Sequence, residues 1–201
     1  MRLFIAIAPP AAVLGELEAV AAPLRPGRPD LRWTRHDAWH ITLAFLGQVD
    51  DVAAGRLAPR LERAARRHSS FSLSFSGAGA FPSGARARVL WIGLRGDIRA
   101  LASLAESVSA GARRAGAPPP DEGRQFRPHL TLARCRAPAD VSPLVTALTG
   151  FTGAPWTAEE IHLIRSYPGP RPAYETFGRW TLGPQRPAGA EPRSVDQGDK
   201  H

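Results

Sequence analysis

A five-residue block that occurs twice constrains this chain most: His40-Ile-Thr-Leu-Ala and His129-Leu-Thr-Leu-Ala, 89 residues apart. That period is too long for a solenoid. The elements around the blocks recur in the same order. In the first half, Leu3 to Ala8 reads as a buried strand and Pro9-Pro10 opens a helix over 11–22. A Pro/Gly-rich loop from Pro26 to Asp30 follows, and Trp39 to Leu46 is a strand that stops at Gly47. In the second half, Val89 to Leu94 is a strand, Asp97 caps a helix to Arg114, 115–124 is a Pro/Gly-rich loop, and His129 to Arg134 is a strand. These halves predict an α+β fold of two lobes related by a pseudo-twofold axis. Each lobe is an antiparallel sheet, the two sheets line a central cleft, and helices lie outside.

The remaining elements fill out the same plan. Leu31 to Thr34 is a short strand. Asp50 or Asp51 caps a helix to Arg67, with Val52, Leu57 and Leu61 as its apolar stripe and Pro59 as a point where it can kink. Phe71, Leu73 and Phe75 alternate with serines as a half-buried strand, and 77–84 reads as a turn-rich connection. A short helix over 141–148 leads to strands at Glu160 to Tyr167 and Ala173 to Leu182. Residues 1–183 are thus expected to form one bilobal domain, and 184–201, rich in Pro, Gly and charge, a disordered tail.

Strand parity explains why the block carries chemistry. Residues i and i+2 of a strand share a face about 6 to 7 Å apart, so His40 and Thr42 project together while Ile41, Leu43 and Phe45 face the other way. His129 and Thr131 share a face in the same manner, with Leu130 and Leu132 opposite. A twofold relation between the lobes would turn both polar faces into one cleft. Two imidazoles suit phosphodiester hydrolysis, which needs one proton removed from the nucleophile and another delivered to the leaving oxygen. With an ordinary pKa of about 6.5, one ring can be neutral and the other protonated at neutral pH. Thr42 and Thr131 can donate to phosphate oxygens.

Other candidates are weighed by position. Arg127 either contacts phosphate or makes a surface ion pair. Arg134 has the opposite parity to His129 and needs a bulge or a strand end to reach the cleft. Phe81, Trp91 and Tyr174 can stack on a base, but aromatics in or beside strands more often belong to the core, the place expected for Trp91. His36, His68, His162 and His201 lack repeated partners and are expected to be solvated or structural. The histidines show no metal-binding spacing, and no glycine-rich nucleotide loop occurs, so no metal and no cofactor are expected.

The formal charge of +8 suggests an anionic partner, although 25 of the 26 basic residues are arginine in a chain rich in Ala, Gly and Pro, a bias that a GC-rich coding sequence also produces. Beyond Pro184 the tail balances Arg186, Arg193 and Lys200 against Glu191, Asp196 and Asp199, so the excess belongs to the expected domain. The single cysteine, Cys135, excludes an internal disulfide. No apolar run is long enough for a membrane span, and the start lacks a secretory signal, so a cytoplasmic monomer without an obligate protein partner is expected.

The ordered blocks resemble those of the RNA 2′,3′-cyclic phosphodiesterases of the 2H phosphoesterase superfamily, also described as 2′-5′ RNA ligases. They are Arg2 to Pro10, Trp39 to Gly47, Gly79 to Ser83, Val89 to Gly93, Phe126 to Arg134 and Ser166 to Tyr174. Position 39 is Trp where Leu is common in that family. The resemblance implies a bilobal α+β fold and hydrolysis of a 2′,3′-cyclic phosphate RNA end to a 2′-phosphomonoester. It also implies His40 as proton donor and His129 as proton acceptor. A binding module without turnover and a 2′-5′ ligase are the competing expectations. Both histidines and both threonines are intact here, which a pure binder need not keep.

Overall fold

Alternate residues of the first strand enter different layers. In β1 (Arg2–Ile7), Leu3, Ile5 and Ile7 join the main apolar core, whereas Phe4 and Ala6 form a separate buried cluster with Ile164 on the other sheet face. This is the two-residue period of a strand covered on both sides. The computed structural model describes residues 1–120, 125–169 and 172–184. The expected tail beyond Pro184 and part of the 115–124 loop lie outside the described residues.

After β1 the chain forms α1 (Ala11–Ala21), β2 (Leu31–Trp33), β3 (Ile41–Gln48), α2 (Asp51–Arg66), β4 (Phe71–Phe81) and β5 (Ala87–Gly96). It continues through α3 (Ile98–Ala115), β6 (Leu130–Ala139), α4 (Ser142–Thr149), β7 (Trp156–Ala158), β8 (Glu160–Tyr167) and β9 (Ala173–Thr181). The strands run in the order β7-β4-β5-β6-β3-β1-β8-β9, with β2 also paired to β6, and neighbouring strands are antiparallel. The bilobal α+β expectation is borne out. One lobe is β3-β1-β8-β9, the other β6-β5-β4-β7, and reading outward from β3 and β6 the two match strand for strand. The expected two sheets are joined into one at the centre, where Ile41 pairs with Leu130.

The main core lies between the sheet and the four helices. Leu17 of α1, Leu57 and Leu61 of α2, Leu101 and Leu104 of α3 and Leu148 of α4 share one cluster with Ile41, Leu90, Ile92, Leu130 and Leu132. Asp50 caps α2, its carboxylate accepting from the Ala53 amide at 2.7 Å. Val52 does not join the stripe and is 65% exposed. At about 100° per residue it falls some 140° from Leu57, so Ala53 and Ala54 take the inward positions instead.

Several boundaries differ from expectation for local reasons. β3 continues through Gly47, whose φ of 67° is open to glycine, and does not stop there. The segment expected as a turn after Phe75 is strand to Phe81, interrupted by a register shift between Phe75 and Ala78. Asp97 precedes α3, but its carboxylate accepts from the Ser72 amide at 2.9 Å and not from its own helix, tying α3 to β4. The three-residue β7 has no signature in the sequence, because it is too short to show a period.

Candidate functional site

The two repeated blocks cross at their second residues, where Ile41 pairs with Leu130. Ile41 and Leu130 are fully buried in the helix-side core, so their neighbours point to the opposite face. Continuing the Ile41–Leu130 antiparallel pair by one residue sets His40 across from Thr131 and Thr42 across from His129. Each imidazole therefore lies beside the other block's threonine, with the pseudo-twofold axis between them. The structure brings all four residues together, as the duplicated pattern suggests.

Both rings are held by the same device. Nδ1 of His40 donates to the Ala38 carbonyl at 2.8 Å, and Nδ1 of His129 donates to the Arg127 carbonyl at 2.7 Å. A carbonyl can only accept, so Nδ1 carries the proton in both rings. Nε2 is then the free nitrogen: a base when the ring is neutral and an acid when it is charged. The carbonyl two residues upstream is a main-chain partner that residue identity does not advertise.

Aromatic walls surround each imidazole. His40 lies 4.6 Å, centroid to centroid, from Phe4 and 5.4 Å from the edge-on ring of Tyr174. His129 lies 5.1 Å from the edge-on ring of Phe81 and 6.2 Å from Trp91. Trp91 is not part of the main core, contrary to expectation. It is half-buried on the cleft face, where its indole covers Gly79 so closely that a Cβ there would meet it at 2.3 Å. A glycine is required at that contact. In sequence Phe4 shows only as part of a buried strand, because parity alone does not distinguish a cleft wall from a core.

A bulge repeated in both lobes corrects the parity expected for Phe45 and supplies the bulge that Arg134 needs to reach the cleft. Against β1, the register slips between Ile5 and Ala6, leaving Leu43 as the extra residue of β3. Against β5, it slips between Leu90 and Trp91, leaving Leu132 as the extra residue of β6. The leucine of each His-x-Thr-Leu-Ala block is thus the bulged position. After it, Ala44 and Ala133 stay in the helix-side core, while Phe45 and Arg134 turn to the cleft face. Phe45 packs against Phe4, Ala6 and Ile164, with the Arg2 guanidinium 4.9 Å over its ring. Bulges re-aim side chains in this way, and a regular two-residue count does not anticipate them.

The electrostatics follow from burial. His40 is pushed from 6.5 down to about 4, first by loss of water. The Ala38 carbonyl opposes that shift, and the charges of Arg134 and His129 add to it. His129 is also lowered, chiefly by burial and then by Arg134, against the Arg127 carbonyl. Arg134 therefore lies within electrostatic reach of both rings. With both lowered, both are neutral near pH 7, which differs from the expectation of one charged ring.

The Arg127 side chain is exposed, and its visible contribution is the carbonyl that holds His129. His36 stacks near Trp39, His68 bonds Ser107, and His162 pairs with Glu160 at 3.5 Å, all structural places as expected. His201 lies outside the described residues. Among the described residues no three His, Cys, Asp or Glu side chains come together as a metal site, and no helix is long and apolar enough to cross a membrane.

Known proteins share this sequence pattern and fold. The family model of the 2′-5′ RNA ligase superfamily matches residues 9–170. An Escherichia coli K12 protein, RNA 2′,3′-cyclic phosphodiesterase, is 34% identical over 188 residues, 90% of this chain and 96% of that one. The crystal structure of TT0787 from Thermus thermophilus superposes with a TM-score of 0.77 at 28% identity, covering 92% of this chain and all of that one. E. coli LigT complexed with 3′-AMP superposes with a TM-score of 0.70 at 31% identity, covering 90% and 96% of the two chains. By the family match and by the relatives, the chain belongs to the 2′-5′ RNA ligase superfamily.

Proposed function

We propose that this protein is an RNA 2′,3′-cyclic phosphodiesterase that opens a cyclic phosphate end to a 2′-phosphomonoester, using His40 and His129 and no metal ion. The observation that carries this reading is the crossing of the two blocks, which sets two imidazoles with free Nε2 atoms on opposite sides of one position. A phosphorus held there, with Thr42 and Thr131 donating to its non-bridging oxygens, has a base on one side and an acid on the other. An in-line displacement needs that arrangement.

The proton count closes. His129 Nε2 takes a proton from water as the water oxygen bonds to phosphorus. The bond from phosphorus to the 3′ oxygen breaks, and His40 Nε2–H protonates that oxygen as a hydroxyl. His129 then leaves the step charged and His40 neutral, and exchange with solvent resets them. The Arg134 guanidinium offsets charge that gathers on the phosphate oxygens. Arg127, exposed two residues before the second block, can add a further phosphate contact. Tyr174, Phe81 and Trp91 offer aromatic faces and edges to the nucleoside.

The lowered basicity of the rings gives a pH signature. Productive free protein needs His40 protonated and His129 neutral, yet His40 has the pKa of about 4 and His129 lies below 6.5. As pH rises the charged fraction of His40 falls, so kcat/KM is expected to peak on the acid side of 6.5 and decline toward alkaline pH. A bound anionic phosphate favours the charged ring, so the kcat optimum should lie higher. Profiles of both constants with a cyclic mononucleotide check this, and a kcat/KM optimum well above neutrality contradicts it.

The relatives named RNA 2′,3′-cyclic phosphodiesterase support the reaction class, and the complex of LigT with 3′-AMP supports a nucleotide as the kind of ligand bound. The proposed setting is the cytoplasm. The direct test incubates EDTA-treated protein with an oligoribonucleotide ending in a 2′,3′-cyclic phosphate. Turnover is expected. Tight binding without turnover would favour a binding module.

A further inference from the structure

We propose that the groove between α2 and α3, lined by Arg60, Arg63, Arg67 and Arg114, binds the phosphodiester backbone of RNA on the helix side of the sheet, away from the histidine cleft. The groove has a cavity of about 180 Å³ and includes the Ser107 hydroxyl. Its existence follows from helix periodicity. Arg60, Arg63 and Arg67 are spaced i, i+3, i+7, which puts them on one face of α2 and its end, over roughly 10 Å of helix axis. Ser107, Gly111 and Arg114, spaced i, i+4, i+7, likewise share one face of α3. Gly111 lets the helices approach until the place of its missing Cβ is 3.6 Å from the Arg60 Cβ.

Charge points to the occupant. α2 holds five arginines counting Arg67 at its C-cap, against Asp51 and Glu62; α3 holds three against Glu106. Much of the chain's positive excess therefore lies on this helix pair. Glu62 is committed to Arg66 at 2.8 Å. Arg60, Arg63, Arg67 and Arg114 have no acidic partner among the described residues, although packing four guanidiniums around one groove is repulsive without an anion. Forked guanidiniums and a hydroxyl, shared at 2.8 Å with His68, are the donor set that phosphate oxygens accept from.

The groove is built for a backbone and not for bases. Among the described residues no aromatic side chain lines it to stack on a base, and the row of arginines extends past the reach of one phosphate. Binding there is expected to be independent of sequence and steeply dependent on salt. The choice of RNA as the polyanion rests on the substrate proposed for the cleft. The groove's binding does not require turnover in the cleft.

The test separates the two sites. A variant carrying Arg60→Gln, Arg63→Gln and Arg67→Gln is compared with one carrying Arg32→Gln, Arg86→Gln and Arg88→Gln, three exposed arginines outside the groove with the same loss of charge. Glutamine keeps helix propensity, and thermal melts confirm that both variants fold. Anisotropy measures binding of a labelled single-stranded RNA with an ordinary 3′-hydroxyl end, and hydrolysis of a cyclic mononucleotide reports the cleft. The groove variant is expected to bind the RNA at least tenfold more weakly, with a salt slope lower by about 2, at about 0.7 per lost phosphate contact, and unchanged mononucleotide turnover. Equal RNA affinity in the parent and the groove variant, or an equal loss in the two triple variants, overturns the proposal. Loss of RNA binding in a protein that hydrolyses no cyclic phosphate upholds the groove and refutes the cleft chemistry.

Discussion

Replacing His129 with alanine is expected to lower kcat on a 2′,3′-cyclic phosphate by about 10³-fold, and His40→Ala by a similar factor, with little change in KM. Each imidazole moves a proton in the step itself, and a positioned acid or base contributes about 10² to 10⁴ in rate. Binding, by contrast, falls to Thr42, Thr131 and the aromatic walls, which remain. The double variant should lose little more than either single one, because a displacement that lacks its acid gains little from its base. Steady-state kinetics of the three variants checks this. Full activity of His129→Ala would remove the base from the account.

Arg134→Met is expected to lower kcat by about 10²-fold and to move the acid limb of the pH profile upward. Its charge depresses both histidines in the empty cleft, so its removal lets both hold protons at higher pH. During turnover the same charge opposes the negative phosphate, and losing one such stabilising group costs about 10² to 10³ in rate. Methionine preserves much of the stem's packing, so folding is retained. A pH profile for Arg134→Met superimposable on the parent's would place the guanidinium outside the site. A lone fall in kcat could arise from distortion, but a coupled rise in the histidine limb requires the charge.

The legibility of this protein follows from where period governs and where it breaks. The alternation of His40 with Ile41 and Thr42, copied at His129, Leu130 and Thr131, gives the polar face, the buried face and the twofold plan, and the Ile41–Leu130 pair realises all three. Counting by two fails at Leu43 and Leu132, because a bulge is decided by pairing with a distant strand and not by the residues beside it. Phe45 is misplaced for that reason, and Arg134 reaches the cleft through the bulge that its parity requires. Trp91 is misplaced because an indole in a strand has the same signature whether it fills a core or walls a cleft, and only the bare Gly79 across from it distinguishes them. The carbonyls of Ala38 and Arg127 that set the tautomers are invisible to any count of side-chain types. The helix groove needs two helices at once, so its arginines appear in sequence only as an undirected charge.

The central claim, that two crossed His-x-Thr blocks open a cyclic phosphate from a defined side, is tested most directly by product geometry. An oligoribonucleotide ending in a 2′,3′-cyclic phosphate is incubated with the protein in EDTA, and the phosphomonoester is resolved by phosphorus NMR. His40 as donor to the 3′ oxygen and His129 as acceptor from water predict a 2′-phosphate with a free 3′-hydroxyl. A 3′-phosphate product, or turnover that EDTA abolishes, would contradict the account.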